Sequence, residues 1–180
     1  LLNFRKKVCN ESNFSFFFLN RESVKEYSFL NNKEKYNRVL GGEYNLASGD
    51  GKWYGKAFVH KSFRPSEINN KQNISSGIMI TRNTNKSLIM FYSAYVGDDF
   101  RSDLGYYRRY GMYKFEPNYR FRIYPNNPKI QEIELSHYAA WVFRTELENK
   151  YEGNIHYSQI QLNYLSTSRL SFQRRQSKTY

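Results

Sequence analysis

The chain has one cysteine and three histidines in 180 residues. A single thiol, Cys9, excludes an intramolecular disulfide and a cysteine-cluster zinc site, which indicates a reducing compartment or a protein indifferent to redox state. His60, His137 and His156 lie far apart in the sequence and match no metal-ligand spacing, so we expect no metal site and no cofactor. The sequence also lacks a Gly-x-x-x-x-Gly-Lys phosphate loop and a Gly-x-Ser-x-Gly nucleophile motif. We therefore expect no catalytic residues and no enzymatic activity.

Long apolar runs are missing as well. The longest one, residues 14–19, is interrupted by Ser15. It is far shorter than the roughly 20 residues that a membrane-crossing helix needs. The sequence therefore predicts no transmembrane segment.

Acidic residues are scarce relative to basic ones. There are 16 Asp and Glu against 28 Lys and Arg, which gives a net charge of +12, and 18% of the residues are aromatic. Cationic side chains neutralise phosphates and aromatic rings stack on unpaired bases, so the combination favours an RNA partner. The abundance of Asn, Lys, Tyr, Phe and Ile resembles proteins encoded by AT-rich genomes, of which organellar genomes are a common source.

Breaks in the sequence pattern divide the chain into three parts. Residues 1–50 alternate short aromatic clusters with Asn and Lys and predict an N-terminal extension or arm, with one short helix around residues 22–30. Residues 51–165 are predicted to form an RNA-binding core. Residues 166–180 contain no acidic residue and predict a basic C-terminal tail that becomes ordered on a polyanion.

Several segments of the core predict strands. Residues 78–81 and 88–92 are β-prone and flank a polar turn, which is typical of a hairpin, and residues 159–165 alternate as a strand. Residues 119–124 alternate apolar or aromatic with basic residues, which places Arg120 and Arg122 on one face of a strand. That face could contact phosphates or could be the solvated side of an edge strand, and the sequence favours neither.

One segment predicts a helix. Ile133, Ala140, Phe143, Leu147 and Tyr151 fall on one stripe at helical spacing, before a glycine suited to a helix C-terminus. The predicted fold class is therefore α+β. It comprises a small, mostly antiparallel sheet, one main helix at about residues 129–152, and extended basic N- and C-terminal arms.

Basic and aromatic residues supply the candidate RNA site. In residues 106–110, two arginines lie between tyrosines, a composition that suits phosphate contacts and stacking on unpaired bases, although tyrosine-rich strand ends packed on a small core would also produce it. The candidate stacking residues are Tyr107 and Tyr110. The candidate phosphate-binding residues are Lys52, Lys56, Lys61, Arg64, Arg101, Arg108, Arg109, Arg120, Arg122, Arg174 and Arg175.

Four carboxylates offer a different interpretation. Asp98, Asp99, Asp103 and Glu116 could hold Mg²⁺ for phosphodiester cleavage, because two-metal catalysis needs clustered carboxylates. The segment around Asp98 is also typical of a polar turn after a strand, and we favour the turn.

Four fragments between residues 52 and 110 occur in the order found in a known family. They are Trp-Tyr-Gly-Lys-Ala-Phe-Val at residues 53–59, Arg-Pro-Ser-Glu-Ile at 64–68, a polar turn at 83–86, and Val-Gly-Asp-Asp-Phe at 96–100. This part of the chain resembles the small-subunit ribosomal protein family numbered nineteen. The resemblance implies an α+β fold with a small sheet, and binding to small-subunit ribosomal RNA beside a neighbouring protein of the ribosomal head.

The predicted function is that of a structural, rRNA-binding protein of an organellar ribosome, most simply the small subunit of a mitochondrial ribosome in the matrix. Its expected partners are ribosomal RNA and neighbouring ribosomal proteins, not DNA. The alternative is a soluble accessory subunit of a large mitochondrial membrane complex, with its basic surface facing anionic lipid or acidic subunits.

Overall fold

A computed structural model describes residues 1–9, 11–24, 35–65, 72–105, 109–145 and 151–179. The described residues form ten β-strands and no helix. The strands are β1 Leu2–Lys7, β2 Asn13–Glu22, β3 Tyr36–Ala47, β4 Trp53–Phe63, β5 Ile74–Asn83, β6 Ser87–Val96, β7 Met112–Ile123, β8 Ile130–Arg144, β9 Tyr151–Tyr164 and β10 Arg169–Thr179. Within these ranges no helix has the length and apolar character needed to cross a bilayer.

All ten strands belong to one antiparallel sheet in which the spatial order equals the chain order. Consecutive connections therefore alternate between the two ends of the sheet. One end, the short-turn end, carries the connections at residues 8–12, 48–52, 84–86, 124–129 and 165–168. At the other, the long-connection end, β2, β4, β6 and β8 end and β3, β5, β7 and β9 begin.

Local side-chain hydrogen bonds fix the short turns. Thr84 Oγ1 accepts a hydrogen bond from the Ser87 backbone N–H at 3.0 Å, and Asn127 Oδ1 accepts one from the Lys129 backbone N–H at 2.9 Å. Short polar side chains of this kind replace backbone partners where the chain reverses. Each turn therefore sets the register of the two strands it joins.

The cross-strand register divides the side chains into two faces of opposite character, because residues paired across strands point to the same side. The apolar face is built along its middle from Phe16, Leu40, Val59, Ile78, Phe91, Phe115, Leu135 and Ile160. The polar face carries small polar and charged residues, among them Asn37, Ser62, Ser75, Thr81, Glu43, Lys56, Lys114, Glu116 and Glu134.

Burial does not follow hydrophobicity alone in this sheet. On the polar face Ser62 and Ser75 are 0% exposed, whereas on the apolar face Phe16 is 55% and Val59 is 58% exposed. Scattered exposed apolar residues are ordinary, but a row of them across several neighbouring strands is not. The sheet thus buries small polar side chains on one face and exposes large apolar ones on the other.

A small hydrophobic cluster closes the polar face near the long-connection end. Phe100, which is fully buried, packs with Val39 and Val96, and Phe17 and Met112 pack against this cluster. Phe100 belongs to the connection between β6 and β7, so residues 97–105 of that connection lie over the polar face. We call these residues the covering segment.

Polar contacts hold the covering segment in place. The buried Asn37 side chain donates from Nδ2 to the Arg101 carbonyl oxygen and accepts at Oδ1 from the Asp103 N–H, both at 3.1 Å. Arg21 Nη2 lies 2.6 Å from Asp103 Oδ2, and the Arg101 N–H donates to Ser62 Oγ at 3.2 Å. Backbone groups removed from water are thereby satisfied, as burial requires.

The predicted α+β fold class is wrong, since the described residues form strands and no helix, and most of the expected main helix lies in β8. Residues 146–150 of that expected helix, with Leu147, lie outside the described ranges. Residues 130–144 are β8, and β9 begins at Tyr151. In β8 the side chains of Ile133, Phe143 and Trp141 lie on the apolar face while Ala140 lies on the other. The adjacent Ala139 and Ala140 hide the two-residue period, and tertiary pairing on both sides decides the structure.

The expected extended arms are wrong for the same reason. Residues 1–50 contain β1, β2 and β3, and residues 166–180 contain β10, all within the one sheet. The short helix expected around residues 22–30 begins at Glu22, the last residue of β2, and its residues 25–30 lie outside the described ranges.

Three other elements are confirmed. The hairpin around residues 82–87 is the β5–β6 pair, in which Ile80 faces Phe91. The strand expected at residues 119–124 is the second half of β7, and the one at 159–165 is the end of β9. Strong two-residue alternation or a clear polar turn identified each of them.

Candidate functional site

The exposed apolar face is the most unusual surface of the described chain. Along β2 to β7 its central residues are mostly β-branched, aromatic or leucine side chains, and Ile78 and Ile160 are 45% and 50% exposed. On β8 to β10 the same face also carries His137, Ser158 and Arg174. The only acidic side chain that the register of the described strands places on this face is Glu22, at the end of β2. The apolar side chains of such a face stay in contact with water unless another apolar phase covers them.

The short-turn border of this face combines a cation with an aromatic ring. Trp53 begins β4 and is the register partner of Arg82 near the end of β5. The Arg82 guanidinium carbon lies 5.9 Å from the centroid of the Trp53 ring. An indole in this position has an apolar body beside the middle of the face and a polar N–H toward its edge.

The long-connection border repeats the combination on β3 and β4. The Arg38 guanidinium carbon lies 4.5 Å from the Tyr36 ring centroid, and Lys61 Nζ lies 5.7 Å from that of Phe63. Arg38 is the register partner of Phe63, so these four residues form one group, which we call the Arg38–Lys61 border. On β3 to β5 the apolar face is thus bordered at both ends by cations that lie over rings.

Several basic side chains on the polar face differ from those at the borders of the apolar face, because they pair with partly buried carboxylates. Lys56 Nζ lies 2.8 Å from Glu43 Oε1, and His60 Nε2 lies 3.2 Å from the same oxygen. Lys114 Nζ lies 2.6 Å from Glu116 Oε1, which also accepts a hydrogen bond from the Tyr138 hydroxyl. Partly buried, hydrogen-bonded pairs of this kind neutralise each other where they lie.

One acidic residue in a short turn has a perturbed pKa. The Ser48 hydroxyl donates to Asp50 Oδ1 at 2.6 Å, and the Lys52 backbone N–H donates to the same oxygen at 3.1 Å. These hydrogen bonds to the ionised form, the Ser48 bond first among them, lower the pKa of Asp50 to about 2. The Asp50 carboxylate therefore belongs to the turn and is charged throughout the neutral range.

The predicted RNA-contacting residues on strands are divided between the two faces. Arg120 Nε and Arg122 Nε both approach Glu134, at 3.3 Å and 3.5 Å. This pairing shows that the two arginines share a face, as the alternation predicted. The polar-face members of the predicted set are Lys56, Arg120, Arg122 and Arg175, and the apolar-face members are Lys61 and Arg174.

The other predicted residues lie in connections. Arg101, in the covering segment, donates from Nη1 to the Asp98 and Phe100 carbonyl oxygens, and its guanidinium carbon lies 4.1 Å from the Tyr110 ring centroid. Lys52 and Arg109 lie beside Asp50 and Glu152, at 3.1 Å in each case. Arg64 follows β4, while Tyr107 and Arg108 lie outside the described ranges.

The structure therefore brings together Arg101 with Tyr110, and Arg120 with Arg122. It does not gather the described members of the predicted set on one surface. Binding of RNA by these residues stays a prediction.

Three of the four carboxylates considered for Mg²⁺ have separate partners. Asp98 Oδ2 accepts from the Thr145 hydroxyl at 2.6 Å, Asp103 pairs with Arg21, and Glu116 pairs with Lys114. Within the described part of the chain, no group of three or more His, Cys, Asp or Glu side chains is close enough to hold a metal ion.

Composition alone missed the borders of the apolar face. No sequence motif marks the residues that form these borders. The sheet register brings them together at the ends of the apolar face; they are Tyr36, Arg38, Phe63, Trp53 and Arg82. The available signal was weak, because residues 14–18 (Phe-Ser-Phe-Phe-Phe) and 78–82 (Ile-Met-Ile-Thr-Arg) follow a two-residue alternation only in part.

Comparison with known proteins gives no relative. No family model matches the sequence, and searches of curated proteins and of solved structures return no significant match.

Proposed function

We propose that the protein is a membrane-embedded β-sheet protein whose apolar face contacts lipid hydrocarbon. The observation that carries the proposal is the exposure of the apolar face: large apolar side chains such as Phe16 and Val59 are exposed, while small polar ones such as Ser62 and Ser75 are buried on the other face. In water such an arrangement forfeits the hydrophobic contribution of the exposed face, whereas hydrocarbon restores it.

Strand length agrees with the thickness of a bilayer. Strands β4 to β7 have 10 to 12 residues. At about 3.3 Å per residue they measure roughly 33–40 Å, and a tilt of about 45° reduces this to the ~25 Å height of an apolar membrane band. A strand needs about 9–11 residues for this purpose.

The borders agree with the same surroundings. Aromatic residues and long cations favour the level between hydrocarbon and water, since each has an apolar body and a polar or charged tip. Trp53 with Arg82 lies at one end of the apolar face, and Tyr36 with Arg38 lies at the other.

Embedding also places a requirement on the two edge strands. Backbone N–H and C=O groups at hydrocarbon depth need hydrogen-bond partners, because an unsatisfied group there costs several kcal/mol. Along its outer edge neither β1 nor β10 is paired with another described strand. We therefore expect strand pairing along both edges in the membrane.

The rRNA-binding function stays a prediction from composition. The net charge supports it, but the polar-face cations that would contribute pair with Glu43, Glu116 and Glu134. Lipid contact has first place because it explains the exposed apolar face, which RNA binding does not. The mitochondrial location and the role of accessory subunit are likewise predictions.

Two consecutive residues of β6 provide the test. Phe91 lies on the apolar face and Tyr92 on the polar face. In a chain carrying W53F and W141F, the F91W and Y92W variants place one tryptophan on each face. After reconstitution into vesicles containing lipids brominated along the acyl chain, we expect strong fluorescence quenching of F91W and little quenching of Y92W. Equal quenching of the two variants, or no quenching of F91W, would overturn the proposal.

A further inference from the structure

Among the described residues, the two cations of the Arg38–Lys61 border have one acid beside them. Two cations lie on adjacent strands of the apolar face, and Glu22 is the acid beside them. Lys61 lies two residues before Phe63, the register partner of Arg38, so the Lys61 and Arg38 side chains are diagonal neighbours.

The ion pair that Arg38 makes with Glu22, a described residue of β2, is exposed. Arg38 Nη2 lies 3.4 Å from Glu22 Oε2, with both side chains near half exposure, and Arg38 Nε donates to Asn20 Oδ1 at 3.1 Å. Exposed pairs of this type contribute little, so a stronger anion can take over the guanidinium. Lys61 Nζ, for its part, is placed over the Phe63 ring.

The cations of the polar face differ in this respect. The carboxylates that pair with Lys56 and Lys114 have side chains only 17% and 12% exposed. Those pairs are screened less than the Arg38–Glu22 pair, because their carboxylates are more buried than that of Glu22. The Arg38–Lys61 border thus differs in having an exposed acid beside its cations, at the level where the apolar face ends.

We propose that the Arg38–Lys61 border binds the phosphate of an anionic lipid headgroup. The inference rests on the proposed lipid contact of the apolar face and adds a lipid class to it. A guanidinium fork and an ammonium group on neighbouring strands can contact different oxygens of one phosphate. The Tyr36 and Phe63 rings then lie beside the upper part of the acyl chains, as interfacial aromatic residues do.

The opposite border supplies a matched control. Arg82 lies over Trp53 and is a single cation next to a single ring. It has the same charge as Arg38 and also lies over an aromatic ring, at 5.9 Å instead of 4.5 Å, without a second cation beside it on the apolar face of the register-paired strand β4. Replacing Arg82 therefore removes an equal charge from the apolar face while leaving the proposed site intact.

The experiment compares spin-labelled phosphatidylglycerol with spin-labelled phosphatidylcholine as probes of the full chain in phosphatidylcholine vesicles. We expect the motionally restricted fraction to favour phosphatidylglycerol about fivefold per contributing cation, with a preference that falls as salt is raised. The R38Q/K61Q variant should lose most of this preference, and R82Q should keep most of it. Equal restriction of both probes by the wild type, or an unchanged preference in R38Q/K61Q, would refute the headgroup site.

The same variants separate this inference from the lipid contact on which it rests. The F91W and Y92W quenching pattern is measured in the R38Q/K61Q background. If F91W remains quenched while headgroup preference is absent in the wild type, only the headgroup site fails. If F91W is not quenched in either background, the lipid contact itself fails.

Discussion

Arg82 and Trp53 are register partners on β5 and β4, and the Arg82 guanidinium carbon lies 5.9 Å from the Trp53 ring centroid. The pair lies where the apolar face meets the short-turn end. A cation over a ring at that position has its charge toward water and its aliphatic stem along the apolar surface. At this pair of residues the surface changes from the apolar face to the polar turns of the short-turn end.

A lysine in the middle of the apolar face should destabilise the protein in lipid. Ile78 is 45% exposed at the middle of β5. In water a lysine at such a position would be nearly neutral, whereas at the bilayer midplane we expect a loss of about 2–4 kcal/mol for I78K. The free energy of unfolding from lipid vesicles in urea measures this loss.

The control for I78K is the same change at a strand end. Ile123 is the last residue of β7, lies on the same face and is 40% exposed. I123K should cost no more than about 1 kcal/mol, because lysine at the border reaches water. Equal effects of I78K and I123K would argue against a hydrocarbon environment.

Truncation of Phe100 should loosen the covering segment. The side chain is fully buried against Val39 and Val96, so F100A leaves a cavity and should cost about 3–5 kcal/mol. The denaturant midpoint should fall without a change in slope. F100L, which keeps most of the volume, should lose less than half as much, and a loss below about 1 kcal/mol for F100A would contradict the packing described.

Acid titration of Asp50 should report on the Ser48 hydrogen bond. The folded pKa of Asp50 is lowered from 3.8 to about 2, so the stabilisation it gives is complete above the unfolded value and is lost as the pH falls through about 2. S48A removes the largest cause and should raise the pKa toward 3.8. The pKa of Asp50 is measured from the pH dependence of its carboxyl chemical shift in an NMR titration.

We expect a smaller rise in the pKa of Asp50 for K52Q than for S48A. Lys52 acts on Asp50 through its backbone N–H, which the substitution keeps, and through its side chain. The pKa of Asp50 should therefore rise less in K52Q than in S48A. A larger rise in K52Q would assign the shift to charge rather than to the Ser48 hydroxyl.

Two glycines on neighbouring strands should respond to alanine with opposite sign. A Cβ on Gly55 would overlap the Met79 carbonyl oxygen, so G55A should cost about 1–3 kcal/mol through forced backbone movement. On Gly42 the nearest atom, Phe16 Cε1, would be 3.4 Å away. G42A should therefore be neutral or stabilise by up to about 1 kcal/mol, as unfolding curves of the two variants will show.

The sequence predicts the parts of this fold in which local signals agree. The β5–β6 hairpin has two β-prone runs and a polar turn, and the end of β7 alternates strictly through Arg120 and Arg122. In both places propensity, period and turn chemistry indicate the same structure.

The sequence misled where one residue pair disguised the period. In β8, Ala139 and Ala140 are adjacent and both buried, one on each face, so the apolar residues Ile133, Ala140 and Phe143 fit a helical stripe. Pairing with β7 and β9 determines the strand, and that information is not local.

The amino-acid composition could not identify the candidate site either, because composition contains no information on strand pairing. The net charge of +12 indicated polyanion contacts without distinguishing cations that pair internally from those directed outward. Lys56 and Lys61 are five positions apart on β4, yet one pairs with Glu43 on the polar face and the other lies over Phe63 on the apolar face. Only the register separates them.

Because spatial order equals chain order, nearly every sheet contact can form as soon as two successive strands have been made. Phe100 is different, since it packs on Val39 far upstream as well as on Val96. Contacts between neighbouring hairpins form early at a low cost in loop closure, whereas contacts at long sequence separation form late. Docking of the Phe100 ring is therefore a late step of folding, which follows the assembly of β3 to β6 and completes the long-connection end of the sheet.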